Sequence, residues 1–270
     1  MREQFHHSRI GLAFEGLSRD RRLRHVFTTR NREGGGNLSL SGGRDRAGAL
    51  NERRFWSQWL EAPAEDWVVG GQVHQANLAV VEPDHRGRGA LDPSEVLKET
   101  DGLLTSTPGL PLYVAVADCA AVLLFAPAAQ PWMGIVHAGW RGLRDGILER
   151  AVTRLNELSD CPAESMQAGI SPCIGLSHFE VGDEVAEHAP DRRRLRFHRN
   201  GKWHVDLSGW ANDQLTGAGL IQGSVEGAGL DTFERPDLFF SHRRDGEKAG
   251  RNGLIAMLCP PPEPPEGPRF

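Results

Sequence analysis

His74, Cys119 and His137 carry the side chains of this chain best suited to bind a metal or attack a substrate. Two imidazole nitrogens and a thiolate are ligand types that zinc prefers, and three protein ligands leave a fourth tetrahedral position for water. Such a water has a pKa near ~7, so hydroxide is available at neutral pH. The same atoms support a metal-free chemistry, with Cys119 as nucleophile and His137 or His74 as its base. Copper oxidation is a third chemistry and the least supported. The 11 histidines include no H-x-H pair, and a multi-copper cluster needs many converging imidazoles. Asp118, next to the thiol, either orients a ligand or caps a turn.

These residues need rigid elements behind them. The apolar, β-branched runs 112–117 and 133–136 do not alternate with polar residues, so they read as strands buried on both faces. Asp118-Cys119 follows the first run and His137 follows the second, at strand ends where α/β proteins open onto a crevice. After His137 come Ala138-Gly139-Trp140-Arg141-Gly142 and an apolar stripe, Leu143, Ile147, Ala151 and Leu155, which predicts one helix over 143–155. A glycine-flanked helix start beside Arg141 suits an anion.

Further strands are expected at 9–13, 24–29, 67–69, 76–81, 166–170 and 254–258, and helices at 51–60 and 206–218. Segment 179–188 reads as a helix or loop-helix element, and Asp206 or Ser208 should cap the 206–218 helix. His74 falls on a glycine-rich turn that includes Gln72. In the glycine-rich loop 30–38, Arg30 and Asn37 could grip an anion or a sugar, although a plain surface loop is the commoner case. Arg243, Arg244 and Arg251 lie within nine positions, enough to bind phosphate if they converge. Glu180 and Asp245 are candidates for moving a proton.

At 270 residues the chain can bury a substantial core. A net charge of −5 with both signs interspersed does not suggest nucleic-acid or membrane-surface binding. The first residues lack a secretory apolar run, no stretch reaches the length of a membrane span, and the 4 cysteines form no C-x-x-C. The expectation is a cytoplasmic protein with free thiols, one catalytic α/β domain over 1–258, and a proline-rich extended or disordered tail over 259–270. Its oligomeric state is left open, a monomer included.

The motifs resemble the family once labelled multicopper polyphenol oxidoreductase (laccase-like) and now described as zinc-dependent purine nucleoside phosphorylases with adenosine deaminase activity. The resemblance runs from about His25 to Leu258. It is carried by Gln72-Val73-His74, Asp101-Gly102-Leu103-Leu104-Thr105, Ala117-Asp118-Cys119, His137-Ala138-Gly139-Trp140-Arg141-Gly142, Phe179-Glu180-Val181-Gly182 and Phe240-Ser241-His242-Arg243-Arg244-Asp245-Gly246. It implies Zn2+ on His74, Cys119 and His137, which would also be the catalytic residues. Its substrates would be phosphate and adenosine, inosine, guanosine or methylthioadenosine. Arg30, Asn37, Gln72, Arg141, Arg243, Arg244 and Arg251 would contact substrate or phosphate, with Asp118 behind the metal ligands. The implied fold is a single-domain layered α/β sandwich with a mixed β-sheet core, related to the toxin-type cysteine deamidase fold. A Cys119-dependent amidase or cell-wall peptide-editing hydrolase is the alternative. The chain departs from the family pattern at Gln75, where Gly is usual, at Ser177-His178-Phe179 in place of Cys-Cys-Tyr, and at His242 in place of Tyr. These changes bear on the shape of the nucleoside pocket.

Overall fold

A computed structural model describes residues 1–6, 9–30, 35–198 and 201–261, with the backbone alone at 4–6. Positions 31–34 of the glycine-rich loop and 262–270 of the expected tail lie outside the described residues.

Two mixed six-stranded sheets form the centre. The first places Arg2–His6, Arg9–Ala13, Leu23–Thr28, Asn252–Leu258, Leu112–Val116 and Val68–Val69 side by side, antiparallel except for its last pair. The second runs Val225–Gly227, Gln167–Ile170, Ala120–Ala126, Trp132–Ala138, Gly102–Thr105 and Leu78–Val80, with parallel pairs only at its two edges. A small antiparallel sheet joins Glu180–Val181, Trp203–Val205 and Leu195–Phe197.

Alternation along Ala120–Ala126 shows how the layers stack. Ala121, Leu123 and Phe125 pack with Phe27, Val114 and Leu254 of the opposite sheet. Val122, Leu124 and Ala126 pack outward on Ile147, Ala151, Leu155 and Trp210 of two helices, Ile147–Ser159 and Leu207–Gly217. Every residue of the strand is therefore buried, and its sequence is uniformly apolar for that reason. The outer face of the first sheet packs Val26, Tyr113 and Ile255 against Trp56 and Leu60 of the helix Arg46–Leu60. The order of layers is helix, sheet, sheet, helix.

Three local expectations need correcting. The stripe over 143–155 belongs to two helices, Trp140–Arg144 and Ile147–Ser159. Gly146 (φ 75) takes the left-handed conformation that closes the first, and its amide bonds back to the Leu143 carbonyl. His137 lies inside the strand Trp132–Ala138, because pairing with Ala121 carries the ladder past the apolar run. Cys119 ends no strand; it stands immediately before Ala120–Ala126. The helix at 207–217 is capped by Asp206, whose carboxylate accepts from the Gly209 amide.

Candidate metal centre and its cavity

Cys119 sits where the chain leaves one sheet for the other, between Val116 and Ala120. The corner requires a left-handed residue, and Asp118 takes it with φ 87. That conformation costs on the order of 1–3 kcal/mol for a residue with a Cβ. Surrounding bonds hold it: the Asp118 carboxylate accepts from Thr232 Oγ1 and from the Arg243 amide, both at 2.6 Å, and its carbonyl accepts from the Ile174 amide.

The two histidines are set by one buried carboxylate, Asp101, which is 1% exposed. It accepts the amides of Val73 (3.2 Å), His74 (3.0 Å) and Gln75 (3.0 Å), closing the turn in which His74 has φ 60. It also bonds His137 Nδ1 at 2.8 Å, while its carbonyl accepts the His137 amide at 2.7 Å. A carboxylate at Nδ1 keeps the proton there and leaves Nε2 as the donor atom toward the thiol. The rings of His74 and His137 meet edge to face at 4.6 Å. Ligand atoms of His74, Cys119 and His137 all lie within 4.8 Å of one another. Gly139 keeps the space open: a Cβ there would stand 3.1 Å from Cys119 Sγ and 3.1 Å from His74 Nδ1.

The electrostatics match this geometry. Burial opposes ionisation of Cys119, but the charge of His137 and hydrogen bonds from both histidines bring the thiol down to about 6. Burial opposes charging His137, yet the thiolate and Asp101 raise it to about 9. Asp101 stays below its ordinary value despite burial, through His137 and the turn amides. A soft anion beside two imidazoles, one backed by a carboxylate, fits a four-coordinate zinc-type ion in donor chemistry and in span. The group opens into a cavity of about 740 Å³. Trp140, Arg141, Phe179 and Arg243 line it with His74, Cys119 and His137, and Arg53, Tyr113 and Arg251 line it as well.

Residues 24–259 match the family described as multi-copper polyphenol oxidoreductase laccase. The chain belongs to this family. It is 33% identical over 228 residues to purine nucleoside phosphorylase YlmD of Geobacillus stearothermophilus, covering 82% of each chain. It is 30% identical to adenosine deaminase RL5 from an unknown prokaryotic organism, covering 88% of this chain and 92% of that protein. Among solved structures, the Bacillus licheniformis hypothetical protein YfiH superposes with a TM-score of 0.88 at 28% identity, over 95% of this chain and 98% of the other. This member of the laccase-like family is an enzyme.

The residues expected at the site divide between the cavity and the scaffold. Arg141 lines the cavity and lies over the Trp140 ring at 4.3 Å. Arg243 lines it too, pinned by the carbonyls of Glu180 (2.7 Å) and His178 (3.4 Å). Gln72 lines it with its amide already engaged, donating to the Ala115 carbonyl and accepting the Ala115 amide, so it extends the ladder beyond Val69. Arg30, Asn37 and Arg244 do not reach the cavity wall. Arg30 bonds the Pro236 carbonyl and lies over Phe240. Asn37 accepts the Arg251 amide, and Arg244 staples the carbonyls of Thr232, Phe233 and Phe239. Neither Glu180 nor Asp245 lines the cavity, and Asp245 pairs with Arg244. Sequence reasoning quoted Asp101 within a motif but gave it no role. An acid opening an apolar strand was the available signal. Arg53 and Tyr113 were missed, and only the rarity of tyrosine (1 in the chain) marked the second.

Proposed function

We propose that this enzyme is a zinc-dependent purine nucleoside phosphorylase that also deaminates adenosine, acting in the cytoplasm through one catalytic unit over 1–258. The observation that carries this reading is the convergence of His74, Cys119 and His137 around Asp101 at the wall of a cavity of about 740 Å³. That volume is in the range of pockets that enclose a small molecule, and it accommodates a purine nucleoside with phosphate beside it. The names of the relatives supply the substrate class. Adenosine, inosine, guanosine and methylthioadenosine are the nucleosides to test.

Zinc on the three side chains supplies a Lewis acid and lowers the pKa of a water it binds. The protein does the rest by positioning. Asp101 holds the proton on His137 Nδ1 and fixes both rings. Trp140 and Phe179 offer aromatic faces to a base, and cavity arginines hold phosphate for attack on the anomeric carbon. As that bond forms, the C1′–N9 bond breaks and its electron pair leaves with the purine. Deamination places the purine carbon that bears the amine at the same centre.

A second reading is favoured by one observation: Asp101, His137 and Cys119 are aligned as a thiol hydrolase would align them, which suits a Cys119-dependent amidase or peptide-editing hydrolase of the toxin-type deamidase lineage. A copper polyphenol oxidase is disfavoured, since the described residues hold one group of this kind and no multi-copper cluster. The deciding experiment follows adenosine and inosine turnover with and without phosphate and chelator, with metal analysis of Cys119→Ala and His137→Ala. Phosphate-dependent, chelator-sensitive turnover and zinc loss in both variants support the first reading. Metal-free activity that depends on Cys119 would replace it with the second.

A further inference from the structure

Away from the thiol, the cavity holds an arrangement that the scaffold does not explain. Tyr113 is 1% exposed and lines the cavity, yet its hydroxyl has no hydrogen-bond partner among the described residues. A buried hydroxyl left unpaired costs about 1–3 kcal/mol, so its persistence asks for a partner supplied from outside. Arg53, only 2% exposed, lies over the Tyr113 ring at 4.9 Å. Its Nε and Nη1 donate to the carbonyls of Leu38, Gly89 and Ala90; among the described residues Nη2 forms no well-aligned hydrogen bond, and the guanidinium lies close enough to the Tyr113 hydroxyl to act on it. Arg251 also lines the cavity. Its Nη1 bonds the carbonyls of Ala249 and Gly250, so Nε and Nη2 stay available. Arg44, which shares the Ala249 carbonyl with Arg251, is spent on the carbonyls of Ser41, Glu247 and Ala249 and adds a third positive charge. Among the described residues no carboxylate forms an ion pair with Arg44, Arg53 or Arg251. Buried cations are ordinarily paired.

We propose that Arg53, Arg251 and the Tyr113 hydroxyl form a subsite for a tetrahedral phosphoryl oxyanion. The ligand is either inorganic phosphate or the 5′-phosphate of a purine nucleotide, since both present the same oxygens to the same donors. Guanidinium forks and a phenol hydrogen are all donors, with no acceptor among them to repel the anion. The inference rests on the nucleoside reading for its choice of ligand, but the subsite is tested by binding alone.

The test titrates the full, zinc-loaded chain with inorganic phosphate and, separately, with adenosine 5′-monophosphate, using wild type, Tyr113→Phe and Arg251→Gln. Tyr113→Phe deletes only an unpaired oxygen, so it should fold with a Tm equal to or above wild type. It should weaken phosphoryl binding about tenfold, and Arg251→Gln at least as much, the usual loss for a hydrogen bond to a charged group. Adenosine binding should stay within about twofold of wild type in Tyr113→Phe. If phosphate binds alongside adenosine without competition, inorganic phosphate is the source. If phosphate and the monophosphate compete, and the monophosphate exceeds adenosine by a margin that Tyr113→Phe removes, the 5′-phosphate is the source. Either result upholds the subsite. Wild-type affinity for both anions in Tyr113→Phe, or binding of neither by wild type, overturns it. Phosphorolysis with an unchanged KM for phosphate in Tyr113→Phe likewise refutes the free-phosphate subsite and leaves the phosphorylase reading standing. Tyr113-dependent phosphate binding without nucleoside turnover does the reverse.

Discussion

Asp101→Asn tests how the centre is held. The carboxylate oxygens divide the work: Oδ1 serves the His74 amide and His137 Nδ1, and Oδ2 serves the amides of Val73 and Gln75. An asparagine keeps one oxygen. The best it can do is leave that oxygen on the histidines and turn its NH2 toward the other two amides, where donor faces donor. At 1% exposure water does not replace the lost acceptor. Two hydrogen bonds to a charged acceptor are worth roughly 3–6 kcal/mol together, and relief from burying a charge returns part of that. The expected net destabilisation is about 2–4 kcal/mol by urea unfolding of the metal-free protein. The turn that holds His74 at φ 60 also loosens, so zinc affinity, read by competition with a chromophoric chelator, should fall about 10–100-fold. Unchanged zinc affinity in a variant that is destabilised as expected would show Asp101 to be structural only, and the coupling of both histidines through it would be wrong.

Other consequences are simpler to state. Gly139→Ala should fold normally, since φ −78 and ψ 166 suit any residue, but its Cβ presses on the ligands and should cut zinc affinity about tenfold by the same competition assay. In the metal-free protein, Cys119 alkylation by iodoacetamide should hold its rate from pH 9 down to near pH 6, because the thiol titrates at about 6, and zinc should block it. His25 is buried and neutral: burial lowers it to about 4, and the Phe14 amide donates to its Nε2. The unfolded chain then binds the extra proton between pH 6.5 and 4, so stability is complete above that window and is lost as pH falls through it. The loss is about 3 kcal/mol, read as the difference in urea unfolding between wild type and His25→Gln at pH 7 and pH 4.

The sequence carried most of the scaffold because its signals were local. Uniformly apolar runs at 112–117 and 133–136 stood out, and Asp206 was one of the two caps offered for its helix. The donors His74, Cys119 and His137 could be selected by chemistry, since few other residues offer such atoms beside strands. What stayed hidden was long-range. Gly146 splitting the 143–155 stripe required knowing that the chain turns there. Asp101 bonds residues 26–36 positions away, and nothing in D-G-L-L-T says which amides it will meet. Arg53 is separated from Tyr113 by the whole route from the helix Arg46–Leu60 to the sheet it covers, and in sequence it looks like one more charge on an amphipathic helix. Arg244 shows the opposite error. A guanidinium in an arginine cluster looked free for phosphate, while backbone carbonyls that no pattern reveals had already claimed it.

The proposed zinc centre is held by the fold's own contacts, and zinc binding there has a measurable cost in protons. Asp101 and the ladder pair Ala121 with His137 fix one ring, the 73–75 turn fixes the other, and Gly139 leaves the gap between them. In that ready geometry the charge is already separated. Between pH 6 and 9 the thiol is ionised and His137 carries an extra proton, because each stabilises the charge of the other. Zinc needs the thiolate, which is present, and the bare Nε2 of His137, which is not. Binding must therefore expel one proton from the pair in this window, whereas a neutral thiol beside a neutral imidazole would also release one but from sulfur. Both release the same count, so the ultraviolet absorbance of the thiolate before zinc is added is what separates them. Here, zinc affinity should rise about tenfold per pH unit up to about 9 and then level off, as His137 becomes neutral on its own. Calorimetry at pH 7.5 in buffers of different ionisation heat should count close to one proton released in wild type and also in His137→Gln, where the thiol, without the imidazolium that holds it down, supplies the proton instead. Metal-free wild type should show thiolate ultraviolet absorbance at pH 7.5 that His137→Gln lacks, and its absence from wild type would dismantle the charge-separated picture.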